Sequence, residues 1–336
     1  MTLLTNASWL PLVFAGLIGL AVLVYAVLDG YDLGVGILMK FTNDETERNK
    51  MIASIGPFWD ANETWLVLGI GLLLVAFPVA YSIVLRELYM PFTVMLFSLM
   101  MRGVAFDFRT KAKTEYREFW NNVFFYGSLL MSFSQGYILG KYIIGFETGL
   151  YQTLFAIFVG LSVVSAYSLI GASWLIMKSE SFLQKKAILW ARKALFLTAL
   201  GIVIISLITP IISLRIFNIW FVFPNVLLLG AILFITIALI GALQLLLRNL
   251  PQDQDKLCWL PFTTTIGIFI LCFHGLAYSF YPYIIPGRIS VYDTITSNES
   301  LAIMLIGALI VLPFLIAYTA FAYKIFYGKT KDLSYN

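Results

Sequence analysis

Residues Trp9–Leu28 read WLPLVFAGLIGLAVLVYAVL, an unbroken apolar run that stops at Asp29-Gly30-Tyr31-Asp32-Leu33-Gly34-Val35-Gly36. About 20 consecutive apolar residues are what a helix needs to cross a bilayer. The rest of the 336-residue chain has the same character: 60% of it is hydrophobic, 12% is charged, and its mean hydropathy is +0.89. Soluble domains carry about 25% charged residues. Half that charge cannot coat a water-facing surface, which excludes a soluble enzyme and a disordered chain.

The pattern predicts an all-α polytopic membrane protein with nine spans, near residues 8–39, 56–79, 83–106, 118–140, 149–177, 190–214, 217–247, 259–281 and 300–325. The runs are too long for barrel strands and lack period-2 alternation. No connecting stretch is long enough for a soluble domain, so residues 1–336 read as one transmembrane domain. Spans one to four and five to eight share a loop rhythm, which fits two four-helix bundles with the ninth helix at the periphery. The N-terminus lacks a basic leader and a short apolar core, so the first span reads as retained.

Lys and Arg are distributed unevenly. The odd-numbered connections and the C-terminal tail hold seventeen: Lys40, Arg48, Lys50, Arg109, Lys111, Lys113, Arg117, Lys178, Lys185, Lys186, Arg192, Lys193, Arg248, Lys256, Lys324, Lys329 and Lys331. The even-numbered connections hold four: Arg86, Lys141, Arg215 and Arg288. Positively charged loops stay in the cytoplasm. The N-terminus is therefore expected outside and the C-terminus inside. The net charge of +4 belongs to these loops and gives no reason to invoke nucleic acid.

A charge inside a membrane costs about 2.5–3.5 kcal/mol on insertion scales, so each one is a functional candidate. They gather in three places. Asp29 and Asp32 lie three apart on one helix face, beside Gly30, Gly34 and Gly36, which allow a second helix to approach closely. The second span opens with Gly56-Pro57-Phe58-Trp59-Asp60-Ala61-Asn62-Glu63-Thr64-Trp65, and the third ends with Arg102-Gly103-Val104-Ala105-Phe106-Asp107-Phe108-Arg109. The expected topology puts all three on the cytoplasmic side. Asp29, Asp32, Asp60, Asp107 and Glu63 then form a proton-entry route, with Arg102 pairing with Asp107 or Asp60. The competing reading is structural: acids capping a helix start or resting in headgroup water. His274, the sole histidine, excludes a haem held by two histidines of this chain; a haem on this one histidine, with a methionine or nothing opposite, stays open, and a hydrogen-bonded core residue is the preferred reading. Cys258 and Cys272 have no metal spacing and read as apolar filler.

Three motifs resemble cytochrome bd quinol oxidase subunit II: Asp29–Gly36 at the end of the first span, Trp59–Leu66 at the start of the second, and Phe106–Arg109 at the end of the third. Asp44–Met51 also resembles that family's first cytoplasmic loop, and the chain's length resembles the branch containing cyanide-insensitive oxidases. The resemblance implies a terminal oxidase of the bacterial cytoplasmic membrane that oxidises quinol and reduces oxygen to water. It implies that two b-type haems, one d-type haem and the quinol site lie in a partner, subunit I. This chain would then be a haem-free subunit that stabilises the heterodimer, in places joined by a small single-span subunit or holding a structural quinone. It implies a proton path through Asp29, Asp32, Asp60 and Asp107, with Trp59 beside it; the residues themselves give Glu63, Arg102, Gly30, Gly34 and Gly36 a part in supporting the path or its packing. Two other readings stay open. A proton-coupled secondary transporter would place polar groups near the bilayer midplane, and a purely structural scaffold would tolerate loss of every aspartate.

Overall fold

A computed structural model describes residues 9–251, 255–293 and 296–330. The expected helix start at Ser8 and the tail residue Lys331 lie outside the described residues. Within them the chain forms α1 (Leu10–Leu38), α2 (Glu45–Ile55), α3 (Trp59–Ala76), α4 (Pro78–Glu87), α5 (Tyr89–Lys111), α6 (Thr114–Ile143), α7 (Leu150–Lys178), α8 (Ser181–Ile212), α9 (Leu214–Trp220), α10 (Asn225–Asn249), α11 (Leu260–Phe280) and α12 (Asn298–Ile325). A short antiparallel hairpin, β1 (Tyr283–Ile285) and β2 (Ile289–Ser290), precedes α12. Among the described residues, eight helices are long and apolar enough to cross a membrane. The ninth long helix, α6, has 30 residues and is more polar, and it packs between α5 and α7.

Several boundaries differ from expectation for identifiable reasons. Pro78 disfavours helical geometry at the preceding residue, and Phe77 takes φ −133° and ψ 62°. The apolar run of the second span therefore breaks into α3 and α4, and α5 starts later, at Tyr89. Pro224 likewise separates α9 from α10, which begins at Asn225. Helix α8 begins at Ser181, so Lys185, Lys186, Arg192 and Lys193 belong to its first turns rather than to a loop.

Helices α1, α3, α5 and α6 form one group, and α7, α8, α10 and α11 form the other; α12 lies outside, against α1. The groups join where α1 crosses α7 and α6 packs on α7. Glycine makes the α1–α7 crossing possible. A Cβ on Gly34 would stand 1.8 Å from the Tyr167 carbonyl oxygen, and one on Gly171 would stand 2.5 Å from the Gly34 carbonyl carbon. In a bilayer, where lipid is as apolar as leucine, such backbone approach is a main source of helix association.

At one end of the bundle, α2 is tied down by charge. Arg48 bonds Glu45 at 2.9 Å and also Glu118, Arg109 reaches Glu45 at 3.2 Å, and Lys186 reaches Glu47 at 2.6 Å. Asp44 caps α2 by accepting from the Thr46 amide at 2.8 Å. That bond holds the Asp44 carboxyl below the usual carboxylate range. At the far end of α6, Tyr142 donates its hydroxyl proton to the Ile284 carbonyl of the hairpin.

Candidate functional site

The end of α1 carries Asp29 and Asp32 on the side facing α3 and α5. From α5, Arg102 donates through Nη1 to Asp29 Oδ1 at 2.7 Å and through Nη2 to Glu63 Oε1 of α3. Arg102 and Asp29 are buried, at 2% and 0% exposure. The planar guanidinium presents several donors in a fixed fork, so one side chain ties three helices together. Asn62, one residue before Glu63, donates from Nδ2 to Asp32 Oδ2 at 2.7 Å and to the Tyr31 hydroxyl at 3.0 Å. The Tyr31 and Tyr323 hydroxyls are hydrogen-bonded at 2.6 Å.

A second polar chain runs one turn deeper. Gln135 of α6 donates to the Tyr25 hydroxyl at 2.7 Å and accepts from the Tyr167 hydroxyl at 2.7 Å. Gly30 makes room for this arrangement, because a Cβ there would stand 2.8 Å from the Tyr167 ring. A Cβ on Gly36 would stand 2.2 Å from Ser128 Oγ.

Two carboxyls, Asp29 and Glu63, thus share one guanidinium, and a third, Asp32, lies beside them on Asn62. Asp29 Oδ2, Asp32 Oδ1 and Arg102 Nε are buried and have no hydrogen-bond partner. Buried polar atoms are nearly always paired, and an exception calls for a proton, a water or an ion. An excess of negative charge in a low-dielectric site is costly, so an arrangement of this kind can hold protons.

The predicted residues divide into two sets. Asp29, Asp32, Glu63 and Arg102 are brought together. Asp60 and Asp107 are not, and both are exposed on this chain. Trp59 stacks near Phe106, with ring centroids 5.0 Å apart, and borders Gly103. The expected pairing of Arg102 with Asp107 or Asp60 is incorrect, since its partners are Asp29 and Glu63. Five residues along a helix turn a side chain by about 140°, which carries Asp107 away from the face that Arg102 uses. His274 is also not a core residue. It is exposed on α11, with Nδ1 held 2.7 Å from the Ile270 carbonyl oxygen.

The sequence reading missed Tyr25, Tyr31, Asn62, Gln135, Tyr167 and Tyr323 as members of the network. Neutral polar side chains are less conspicuous than charges in an apolar run. The usable signal was an amide in mid-span, Gln135, and one beside the acids, Asn62. The chain's one histidine is on the outer face of α11, and no cluster of three His, Cys, Asp or Glu among the described residues could hold a metal. Cys258 and Cys272 are free thiols.

The sequence model of the family described as cytochrome bd terminal oxidase subunit II matches residues 10–326. The chain belongs to this family. Among relatives of cytochrome bd subunit II, "Cytochrome bd ubiquinol oxidase subunit 2" of Bacillus subtilis is 29% identical over 318 residues, covering 89% of this chain and 90% of that one. "Cytochrome bd-I ubiquinol oxidase subunit 2" of Escherichia coli K12 is 28% identical over 363 aligned residues, covering 94% of each. The bd oxidase structure from Geobacillus thermodenitrificans shares the fold, with a TM-score of 0.75 at 18% identity over 95% of this chain and 98% of that one. As a cytochrome bd subunit II, the chain is a multi-pass membrane subunit of a haem-containing terminal oxidase, and its family implies a subunit I as partner.

Proposed function

We propose that this chain supports the haem-bearing subunit I of a quinol oxidase and carries protons from the cytoplasm toward the site of oxygen reduction. The carrying observation is the cluster of buried Asp29 and Asp32 and partly buried Glu63, in which Arg102 bonds Asp29 and Glu63 while Asp29 Oδ2 and Asp32 Oδ1 stay unpaired. One arginine cannot neutralise three carboxylates, and protons are the natural balance. The names of the curated relatives, both ubiquinol oxidase subunits, support quinol as the electron donor. The two haems b and the haem d are placed in subunit I, on the resemblance of Asp29–Gly36, Trp59–Leu66 and Phe106–Arg109 to the haem-free subunit.

When bound in subunit I, the haems supply oxygen binding and electron transfer. This chain's part is proton delivery, and each electron passed to oxygen requires one proton. Asp60 and Asp107 are exposed at the same end of α3 and α5. In the complex they continue the route from the buried cluster toward the partner, with Trp59 beside it. The Lys and Arg asymmetry supports an N-terminus outside and this acidic end in the cytoplasm. Drawing protons from that side while quinol releases its own outside contributes to the proton-motive force without a pump. A transporter is the weaker reading, since the ionisable groups cluster at one end and not at a central substrate site.

Single replacements Asp29→Asn, Asp32→Asn, Asp60→Asn and Asp107→Asn, assayed for oxygen consumption against haem content, test this. The expected result is slowed turnover at normal haem content. Unchanged rates in all singles and doubles would reject the conduit, and joint loss of haem and activity would make these residues structural.

A further inference from the structure

Helix α12 is peripheral along most of its length, yet the segment that follows it, Phe326–Thr330, is firmly held. Lys178 donates to the Phe326 and Gly328 carbonyls, the latter at 3.0 Å, and the Thr330 amide donates to the Lys178 carbonyl at 2.8 Å. Lys329 reaches the Ser179 carbonyl at 2.8 Å. These bonds fix Tyr323, whose ring stacks on Phe58 with centroids 4.5 Å apart. Tyr31 stacks on Trp174 at 4.2 Å and meets Phe262 edge-on. An aromatic sleeve therefore encloses the two hydroxyls. Tyr31 is fully buried, whereas Tyr323 is half-buried, so the pair steps from the interior toward the surface.

We infer that Tyr323 is the entry residue of the buried acidic cluster, passing protons through the Tyr31 hydroxyl to Asp32. The inference rests on the proton-delivery reading. A hydroxyl is donor and acceptor at once. It can accept an incoming proton while releasing its own, so the Tyr323–Tyr31 pair transmits a proton without a net change at either residue. Tyr31 and Asp32 both accept from the same Asn62 amide nitrogen. Their oxygens are therefore no farther apart than a single water can bridge. The proton ends on a carboxyl that has a free buried oxygen, Asp32 Oδ1. Tyr323 touches no reacting atom and is a positioning residue for delivery.

The test is Tyr323→Phe in the complete oxidase, which keeps the ring stack and removes the hydroxyl. Haem content and the KM for quinol should stay as in the parent, while turnover falls about tenfold, equivalent to about 1.4 kcal/mol on the barrier. A second readout is hydrogen–deuterium exchange of the Asp32 carboxyl infrared band, identified by its loss in Asp32→Asn. It should slow by a similar factor in Tyr323→Phe and in Tyr31→Phe. Parent-like turnover and exchange in Tyr323→Phe, with Asp32→Asn slow, would overturn the entry assignment and leave the conduit standing. Parent-like behaviour of Asp32→Asn as well would reject the conduit itself. Loss of haem in Tyr323→Phe would make the residue an anchor for α12 and overturn the assignment.

Discussion

Replacing Arg102 by methionine strands two carboxylates at once. Asp29 loses a 2.7 Å ion pair at 0% side-chain exposure, and Glu63 loses its pair at 18%. Removing one partner of a buried pair costs about 3–5 kcal/mol, because the remaining charge has neither water nor counterion. Domain stabilities are about 5–15 kcal/mol, so the loss should be visible as less assembled oxidase and lower thermal resistance. Haem absorbance per milligram of membrane protein and the unfolding temperature of the purified complex measure both. Adding Asp29→Asn to Arg102→Met removes the stranded charge. The double variant should then recover part of the loss, with a coupling of about 0.5–3 kcal/mol. An Arg102→Met complex that assembles and melts like the parent, or two losses that simply add, would refute the claim that this arginine balances the cluster.

Gly34→Ala should cost about 1–3 kcal/mol or more through overpacking, because its Cβ would collide with the Tyr167 carbonyl. Gly241→Ala, with nothing within 4 Å, should leave assembly intact, and yields of the two complexes compare them directly. His274→Ala should leave the haem spectrum unchanged; a lost or shifted haem band would place a ligand in this chain. The Asp44 carboxyl is held low by the Thr46 amide. A group with a lowered folded-state value stabilises above its unfolded value and loses that contribution as pH falls through the folded one. The protection of the α2 amides, exchange being referred to the intrinsic rate at each pH, should therefore fall below about pH 4. Asp44→Ala should show the reduced protection already at neutral pH.

The first and third motifs show what the sequence makes legible. Asp29 and Asp32 interrupt an apolar run, and the cost of a carboxylate in a membrane is enough to mark them. Gly34 beside them announces a close crossing, and the backbone of α7 lies against it. Helix ends are harder to read. Hydropathy marks where lipid begins and not where the helix stops, so the polar first turns of α6 (Thr114–Arg117) and of α8 (Ser181–Lys186) read as loops. Rotation is hidden as well. The sequence places Arg102 near Asp107 along the chain, but only the packing of α5 on its neighbours turns it toward Asp29 and Glu63. Tyr323 is invisible for a third reason: it lies 292 residues from its hydrogen-bond partner Tyr31, and no local pattern joins them.

The most direct test of proton delivery through this subunit uses the oxidase reconstituted in vesicles, with a pH-sensitive dye on the cytoplasmic face. Quinol-driven proton uptake and oxygen consumption are followed together in the parent and in Asp29→Asn/Asp32→Asn. The account predicts a full haem complement with proton uptake and turnover slowed together, by about tenfold or more. Uptake from the cytoplasmic face at the parent rate, in a fully haem-loaded variant, would contradict it.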